Sequence, residues 1–261
     1  SEQTMESDWV RCWTGPGHGL QLKRGPAAGR LLAPSYHLRD TGEPDLLAHC
    51  HMIYSDDRGV TWKRGETLAL APDIDPEVTR VRHKWIADDY PGKSGVVFWK
   101  GCECLAAERS DGTLYLTIRN QARCCGEKKL FAASSDGGLT WSPVAPQKEL
   151  PGKRCQSGIV EAPAAGGTIL WSGISETQPR RGMAVYASAD GAKTFSHLKT
   201  VWTGLCGYSD MVSLNDGSVL LFYECGMEDY NERIDMARLS CRVNQYAEPT
   251  PNPSKEGNSF G

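Results

Sequence analysis

Five residues carry side chains that could share one reaction: Tyr208, Glu103, Arg119, Arg180 and Glu224. A phenol with a reference pKa of about 10 is a poor nucleophile unaided, and a neighbouring carboxylate that takes its proton during attack removes that handicap. Arginine stays charged at any working pH and presents forked donors, which suits it to hold a carboxylate. Taken singly, each residue also has a plainer role. Tyr208 could be a core tyrosine, Glu103 a surface carboxylate with Glu108 the functional one, and the arginines solvated partners worth little. Arg180 competes with its neighbour Arg181 for one role. His18 reads as a loop histidine that shapes the pocket rim, with no second histidine at metal-ligand spacing. Of the ten cysteines, neither Cys102-x-Cys104 nor Cys124-Cys125 has the CxxC spacing of a zinc knuckle, so buried free thiols or a few disulfides fit better than a metal site.

The elements that must position these residues read as short strands. The 261 residues carry a net charge of −3 and no basic run that could track a phosphate backbone, which excludes a nucleic-acid partner of the usual kind. No apolar stretch reaches the length of a membrane span. Leu114, Leu116 and Ile118 alternate with Tyr115, Thr117 and Arg119, predicting a strand with one apolar face, entered through the turn pair Asp111-Gly112. Asp216-Gly217 precedes a second such strand, Ser218 to Tyr223. From Asn244 the chain turns polar and proline-rich, so residues 244–261 are expected to be a disordered tail behind a single domain over 1–243.

An octad repeats. Ser55-Asp56-Asp57-Arg58-Gly59-Val60-Thr61-Trp62 has the pattern S-x-D-x-G-x-T-W, and Ser134 to Trp141 has it again. Ser188 to Phe195 is a degenerate third copy, with Ala192 at the glycine position and Phe195 for tryptophan. Aspartate can accept backbone N–H bonds within such a loop, glycine takes positive φ, and the aromatic starts the next strand. Asp57, Asp136 and Asp190 are thus turn residues, not catalysts.

The octads resemble the Asp-box of sialidases, which in that family joins the third and fourth strands of successive propeller blades on the face away from the active site. Five further stretches resemble the same family: Gly15-Pro16-Gly17-His18-Gly19-Leu20-Gln21-Leu22 with Gly29-Arg30-Leu31; Glu103 to Glu108 with Arg119-Asn120-Gln121; Cys155-Gln156-Ser157; Arg180 to Val185; and Gly207-Tyr208-Ser209-Asp210 with Leu221-Phe222-Tyr223-Glu224. The resemblance implies an all-β, six-bladed β-propeller. At roughly 40–50 residues per blade this chain supplies about four of them, so the N-terminal blades are expected to be missing. The opening Ser1-Glu2-Gln3-Thr4, without an initiator methionine, fits either a processed N-terminus or a chain that begins inside a longer protein, and the blade count favours the second expectation.

The implied activity is that of an exo-α-sialidase, a glycoside hydrolase that removes terminal sialic acids with retention. Sialic acid carries a carboxylate on its anomeric carbon, and a carboxylate nucleophile would meet it at a cost of about 4 kcal/mol at about 4 Å. A neutral tyrosine avoids that repulsion. By resemblance Tyr208 is the nucleophile and Glu103, at the family's offset from Arg119, its base. Arg119 and Arg180 hold the substrate carboxylate, and Glu224 orients the first arginine of the family's triad. That first arginine, in an R-I-P segment, has no match here, nor does the loop aspartate that serves as acid/base, so activity of this chain alone is expected to be impaired. No cofactor is required. The implied partners are sialylated glycoproteins, glycolipids or oligosaccharides, with no nucleic acid and no membrane span; the compartment (secreted, lysosomal or membrane-associated) stays open. A transglycosylating relative would differ only in acceptor-site residues that the sequence does not identify. The alternative from another class is a catalytically silent propeller acting as a sialic-acid lectin or interaction module. Residues Trp85 to Trp99 fit no family pattern and have no physical account from the sequence; the two readings are a lineage-specific loop at the mouth of the site and a misassembled stretch.

Overall fold

The computed structural model describes residues 4–152, 154–177 and 179–240; the expected tail lies outside them. The architecture is all-β, in three sheets. The first contains β1 (Trp9–Thr14), β2 (Leu20–Gln21), β3 (Leu31–Arg39), β4 (Leu46–Ser55), β5 (Lys63–Arg64), β6 (Arg80–Arg82) and β7 (Val96–Trp99), in the order β1-β3-β4-β7-β6, with β2 on β3 and β5 on β4. The second is an antiparallel meander of β8 (Cys104–Glu108), β9 (Leu114–Ile118), β10 (Lys128–Ser134) and β11 (Ala145–Pro151). The third runs in sequence order through β12 (Gly158–Ala162), β13 (Thr168–Thr177), β14 (Arg180–Ser188), β15 (Ser196–Ser213), β16 (Ser218–Gly226) and β17 (Arg233–Ser240).

The sheets stack face on face, as in propeller-type folds. Leu114, Leu116 and Ile118 of β9 pack on Leu22, Leu32, Cys50 and Met52 of the first sheet. Tyr115, on the other face, packs with Ile159, Ile169 and Trp171 of the third sheet and with Phe195. The single apolar face expected for β9 is therefore corrected: all five of its residues are buried, because a neighbouring sheet covers each side. Alternation reports the sharper of two buried faces when the other carries Tyr, Thr and Arg.

Four strands per sheet are seen only in the second sheet. In the third, the 18-residue β15 pairs with β14 through its first half and with β16 through its second, so one strand serves two neighbours. In the first, the stretch with a loop as one of its readings is built into the sheet. A six-residue α-helix, α1 (Lys84–Asp89), leads to β7, and β7 pairs parallel with β4 through Leu46↔Val97 and Ala48↔Trp99. Ile86, Val97 and Trp99 bury against Leu38, Leu46 and Ala48, and Trp99 Nε1 donates to His83 Nε2 at 2.9 Å. The apolar residues that fitted no pattern are a small core of their own.

The three octads close identical turns. In each, serine Oγ donates to the aspartate (Ser55 to Asp57, 2.7 Å; Ser134 to Asp136, 2.8 Å; Ser188 to Asp190, 2.7 Å) and the threonine N–H and hydroxyl donate to the same carboxylate. The glycine position has φ +88° at Gly59 and +86° at Gly138, and Ala192 takes φ +64° in their place despite its Cβ. They link β4 to β5, β10 to β11 and β14 to β15. Ser134 pairs with Leu114, at the end of β9 remote from Arg119. On β14, Arg180 and Ser188 occupy opposite ends, about 26 Å apart at the usual rise per residue. The octads thus sit at the end of the sheets away from Tyr208.

These turns make stability depend on acid. The Thr61 hydroxyl and N–H with the Ser55 hydroxyl hold the Asp57 carboxyl at about 2. Partial burial would raise Asp190, but Thr194 and Ser188 together outweigh it and bring it to about 2 as well. Both values lie below the unfolded value of about 3.9, so the stabilisation is complete above pH ~4 and is lost as pH falls from there through 2. The urea midpoint is expected to drop over that window, and Asp190→Asn is expected to flatten the drop while lowering the midpoint at pH 7. A variant with the parent's acid profile would show that the carboxylate is not what the turn depends on.

Candidate active site

Antiparallel geometry puts the sequence-identified residues at one end of the sheets. Glu103 precedes β8 and Arg119 follows β9, and the Arg119 N–H donates to the Glu103 carbonyl at 2.8 Å, so the two leave adjacent strands side by side. Tyr208 lies in β15 at a β-bulge. Cys206 pairs with Cys225 and Ser209 with Tyr223, leaving Gly207 and Tyr208 opposite the single residue Glu224. A bulge bends the strand and re-aims a side chain. The amide it frees is not wasted: Tyr208 N–H donates to Glu224 Oε2 at 2.8 Å. A methyl at Gly207 would meet the Glu224 carboxylate and the Tyr230 ring, so a larger residue there would push Glu224 away from the Tyr208 amide.

Three groups then meet in a triangle. The Tyr208 hydroxyl donates to Glu103 Oε1 at 2.5 Å, and Arg119 Nη1 donates both to Glu103 Oε2 at 2.7 Å and to the Tyr208 oxygen at 2.8 Å. Glu103 is 9% exposed, and the Arg119 and Glu103 side chains are nearly buried as a pair. Burial pushes the Tyr208 phenol above its ordinary value; Arg119 opposes that and Glu103 adds to it. The phenol is therefore protonated, with its proton already directed at a carboxylate. The Arg119 Nε is buried and has no hydrogen-bond partner.

Arg180 lies on the other side of the ring. Its guanidinium carbon is 6.0 Å from the Tyr208 ring centre and 4.7 Å from that of Tyr230, and its Nη2 donates to the Arg154 carbonyl at 2.7 Å. Arg181 is exposed on the opposite face of the strand. Glu224, which corresponds to the carboxylate that orients the family's first arginine, accepts the Tyr208 backbone N–H. Glu108 is elsewhere: it accepts the backbone N–H groups of Lys23 and Arg24.

Beside the triangle is a cavity of about 190 Å³, lined by Pro16, Gly17, Gln156, Tyr208, Asp210 and Glu224 among others. A larger one, about 510 Å³, adjoins it along β8, β12 and β15 and shares Asp210 and Phe222. Its buried carboxylates are engaged, Glu161 by Arg24 Nη2 at 2.8 Å and Glu108 by the amides named above, whereas the smaller cavity is the one that Tyr208 lines. His18, expected at the pocket rim, has Nδ1 2.7 Å from Asp210 Oδ1, where the two cavities meet. Among the described residues no cluster of three or more His, Cys, Asp or Glu side chains could hold a metal ion, and the cysteines there are free thiols.

The BNR repeat-like domain model matches residues 2–221. The chain belongs to the sialidase family. Among curated members it is 28% identical over 230 residues to the sialidase of Micromonospora viridifaciens, covering 85% of this chain and 30% of that protein. It is 25% identical over 228 residues to sialidase-2 of Cricetulus griseus, covering 82% and 51%, and 24% identical over 298 residues to sialidase-3 of Mus musculus, covering 95% and 63%. The chain thus spans less than two thirds of each. Among solved structures, the Hadza microbial sialidase Hz136 superposes with TM-score 0.68 at 21% identity over 92% of this chain and 40% of its own. The intramolecular trans-sialidase of Ruminococcus gnavus gives 0.62 at 23% identity, over 92% and 46%. These two likenesses bear on the fold, which is that of sialidase propellers. No helix among the described residues is long and apolar enough to cross a membrane.

Two further groups hold the surroundings of Tyr208: Gln156, within the stretch Cys155-Gln156-Ser157 quoted above, and Lys129, which the sequence did not single out. Gln156 Oε1 accepts the Ser209 N–H at 3.1 Å and so anchors the residue after Tyr208. Lys129 is 2% exposed, with Nζ 2.5 Å from the Cys155 carbonyl. A signal for it exists, because alternation along β10 places it on the face of Phe131 and Ala133.

Proposed function

We propose that the chain carries exo-α-sialidase chemistry, with Tyr208 as nucleophile and Glu103 as its base. The observation that supports this most is the hydrogen-bonded triangle of Tyr208, Glu103 and Arg119. A core tyrosine needs one partner for its hydroxyl; this one has a nearly buried carboxylate to take its proton and a cation against its oxygen. In the attack the phenolic proton passes to Glu103 Oε1 while the tyrosine oxygen bonds to the anomeric carbon and the glycosidic C–O bond breaks. The departing oxygen takes a proton from water. The hydroxide so formed attacks the anomeric carbon, the bond from that carbon to the tyrosine oxygen breaks, Glu103 returns its proton to the phenolate, and the configuration is retained.

Arg119 and Arg180 flank Tyr208 and hold the substrate carboxylate as forked, permanently charged donors. Glu224 fixes the bulge that aims the nucleophile. The substrates are sialylated glycoproteins, glycolipids or oligosaccharides, and no cofactor takes part. Turnover by this chain alone is slow, because the sequence has no match for the family's first arginine or its loop aspartate. General acid catalysis of the kind that the aspartate provides contributes about 10²–10⁴-fold.

The test is to incubate the purified chain with a fluorogenic aryl sialoside, whose leaving group needs little protonation, and to react it with a 3-fluorosialosyl fluoride before peptide mass analysis. Slow release and a sialosyl adduct on Tyr208 are expected. An adduct on another residue would overturn the assignment. Binding of a sialoside with neither release nor adduct would leave the lectin reading in its place.

A further inference from the structure

We propose that Lys129 is a positioning residue of this site, a buried cation that pins the turn Arg154–Gln156 and so sets Arg180 and the Tyr208 strand against Glu103 and Arg119. The inference rests on the sialidase reading for its kinetic consequences, and on contacts alone for its structural ones.

An ammonium group removed from water is costly unless the site repays it. Lys129 is placed on the face of β10 that meets the third sheet, beside Phe131, which stacks on Tyr115 at 5.5 Å. Its Nζ donates to the Cys155 carbonyl at 2.5 Å and lies 5.8 Å from the Trp171 ring centre, a cation–π distance. Apolar residues of similar length would fill this space more cheaply, so the charge itself is the feature to explain.

The carbonyl that it grips lies between two groups already tied to the chemistry. Arg154 O, one residue earlier, accepts from Arg180 Nη2. Gln156 Oε1, one residue later, accepts from the Ser209 amide, which follows Tyr208. Three successive residues of one turn therefore hold Lys129, Arg180 and the nucleophile strand. Lys129 belongs to the second sheet, which also presents Glu103 and Arg119; the other two partners belong to the third. The base and the nucleophile come from different sheets, and the bond from Lys129 to Cys155 fastens those sheets together beside them.

The facing groups give this device an alkaline limit. Burial lowers Lys129 to about 8; the Cys155 thiol of the turn raises it, Arg119 at the end of β9 lowers it, and Glu103 and Cys102 before β8 raise it. The lysine is thus charged below pH ~8 and loses its charge above, weakening its hold on the carbonyl while Arg119 and Arg180 remain charged.

The experiment compares the parent chain with Lys129→Arg and Lys129→Met. Amide hydrogen exchange at Ser209 is measured beside the kcat and KM for the aryl sialoside from pH 5 to 9.5. Lys129→Met is expected to speed Ser209 exchange at least tenfold, to lower kcat and raise KM together by about tenfold each, and to show no alkaline rise in KM. Lys129→Arg, which cannot lose its proton, is expected to restore the exchange rate and kcat to within about threefold and to abolish the rise above pH 8. Parent-like Ser209 exchange in Lys129→Met, or an unchanged alkaline limb in Lys129→Arg, would overturn the proposal. If the methionine variant fails to fold, the arginine variant's pH profile decides alone. A parent without turnover whose Ser209 exchange still responds to Lys129→Met would sink the sialidase reading and keep the positioning role.

Discussion

Tyr208→Phe is expected to lower kcat on an aryl sialoside by about 10³-fold or more, on the scale of nucleophile removal in enzymes whose groups act as a unit, while binding of a 2,3-dehydrosialic acid changes by less than about threefold. The reason is in the hydrogen bonds. The hydroxyl is the only part deleted. Glu103 keeps its 2.7 Å bond to Arg119, and Arg180 keeps the ring beside it. The pocket's charge and shape are preserved, and the loss in stability is about 1.5–3 kcal/mol, the net value of a hydrogen bond to a charged group.

Because burial raises the phenol above its ordinary value, no phenolate stands ready in the resting protein. In the proposed reaction the proton must leave as the carbon–oxygen bond forms, so Glu103 is expected to be as necessary as Tyr208. Glu103→Gln keeps an acceptor for the hydroxyl but cannot take its proton, and a loss of about 10²–10⁴-fold in kcat with intact binding is expected. A Tyr208→Phe protein with parent turnover would remove tyrosine from the mechanism and return the residue to the core.

What the sequence disclosed was what local chemistry could write into a short window. An octad closes its own turn, so Ser134, Asp136 and Thr140 could be read as a hairpin without knowing where the hairpin lies. Tyr208 and Glu103 stood out only through the stretches around them, because their contact spans 105 positions and no periodicity reports it. The bulge at Gly207-Tyr208 was hidden because a bulge is a property of two strands. Its trace in sequence, a glycine before the tyrosine, has many other causes. Parallel pairing of β7 with β4 was hidden for the same reason: Val96 to Trp99 is an apolar run whose partner lies some fifty positions earlier. Lys129 was passed over because a lysine in a strand is normally solvated, and only the sheet stacked over β10 removes its water.

The other large effect expected is on folding. Arg119→Met should destabilise the protein by about 3–5 kcal/mol, because it leaves the Glu103 carboxylate uncompensated in a nearly closed site, where the two side chains are 13% and 11% exposed. The Tyr208 hydroxyl would still donate to Glu103, but a neutral donor offsets only part of the loss of a charged one. The pair's own net worth is a different quantity, since two charges had to be desolvated to form it. A four-form comparison separates them. If Glu103→Gln is added to Arg119→Met, no buried charge remains, and most of the lost stability should return. The urea midpoint of the double variant is therefore expected well above that of Arg119→Met alone, with a coupling of about 2 kcal/mol or more between the two positions. Arg119→Lys should be intermediate: it keeps the charge, but its shorter, flexible stem must bring Nζ to the point where Arg119 Nη1 meets both Glu103 and the Tyr208 oxygen. Additive losses, or a cost under about 1 kcal/mol for Arg119→Met, would mean that water reaches Glu103 freely. The low-dielectric setting that makes this triangle a reactive one would then be absent.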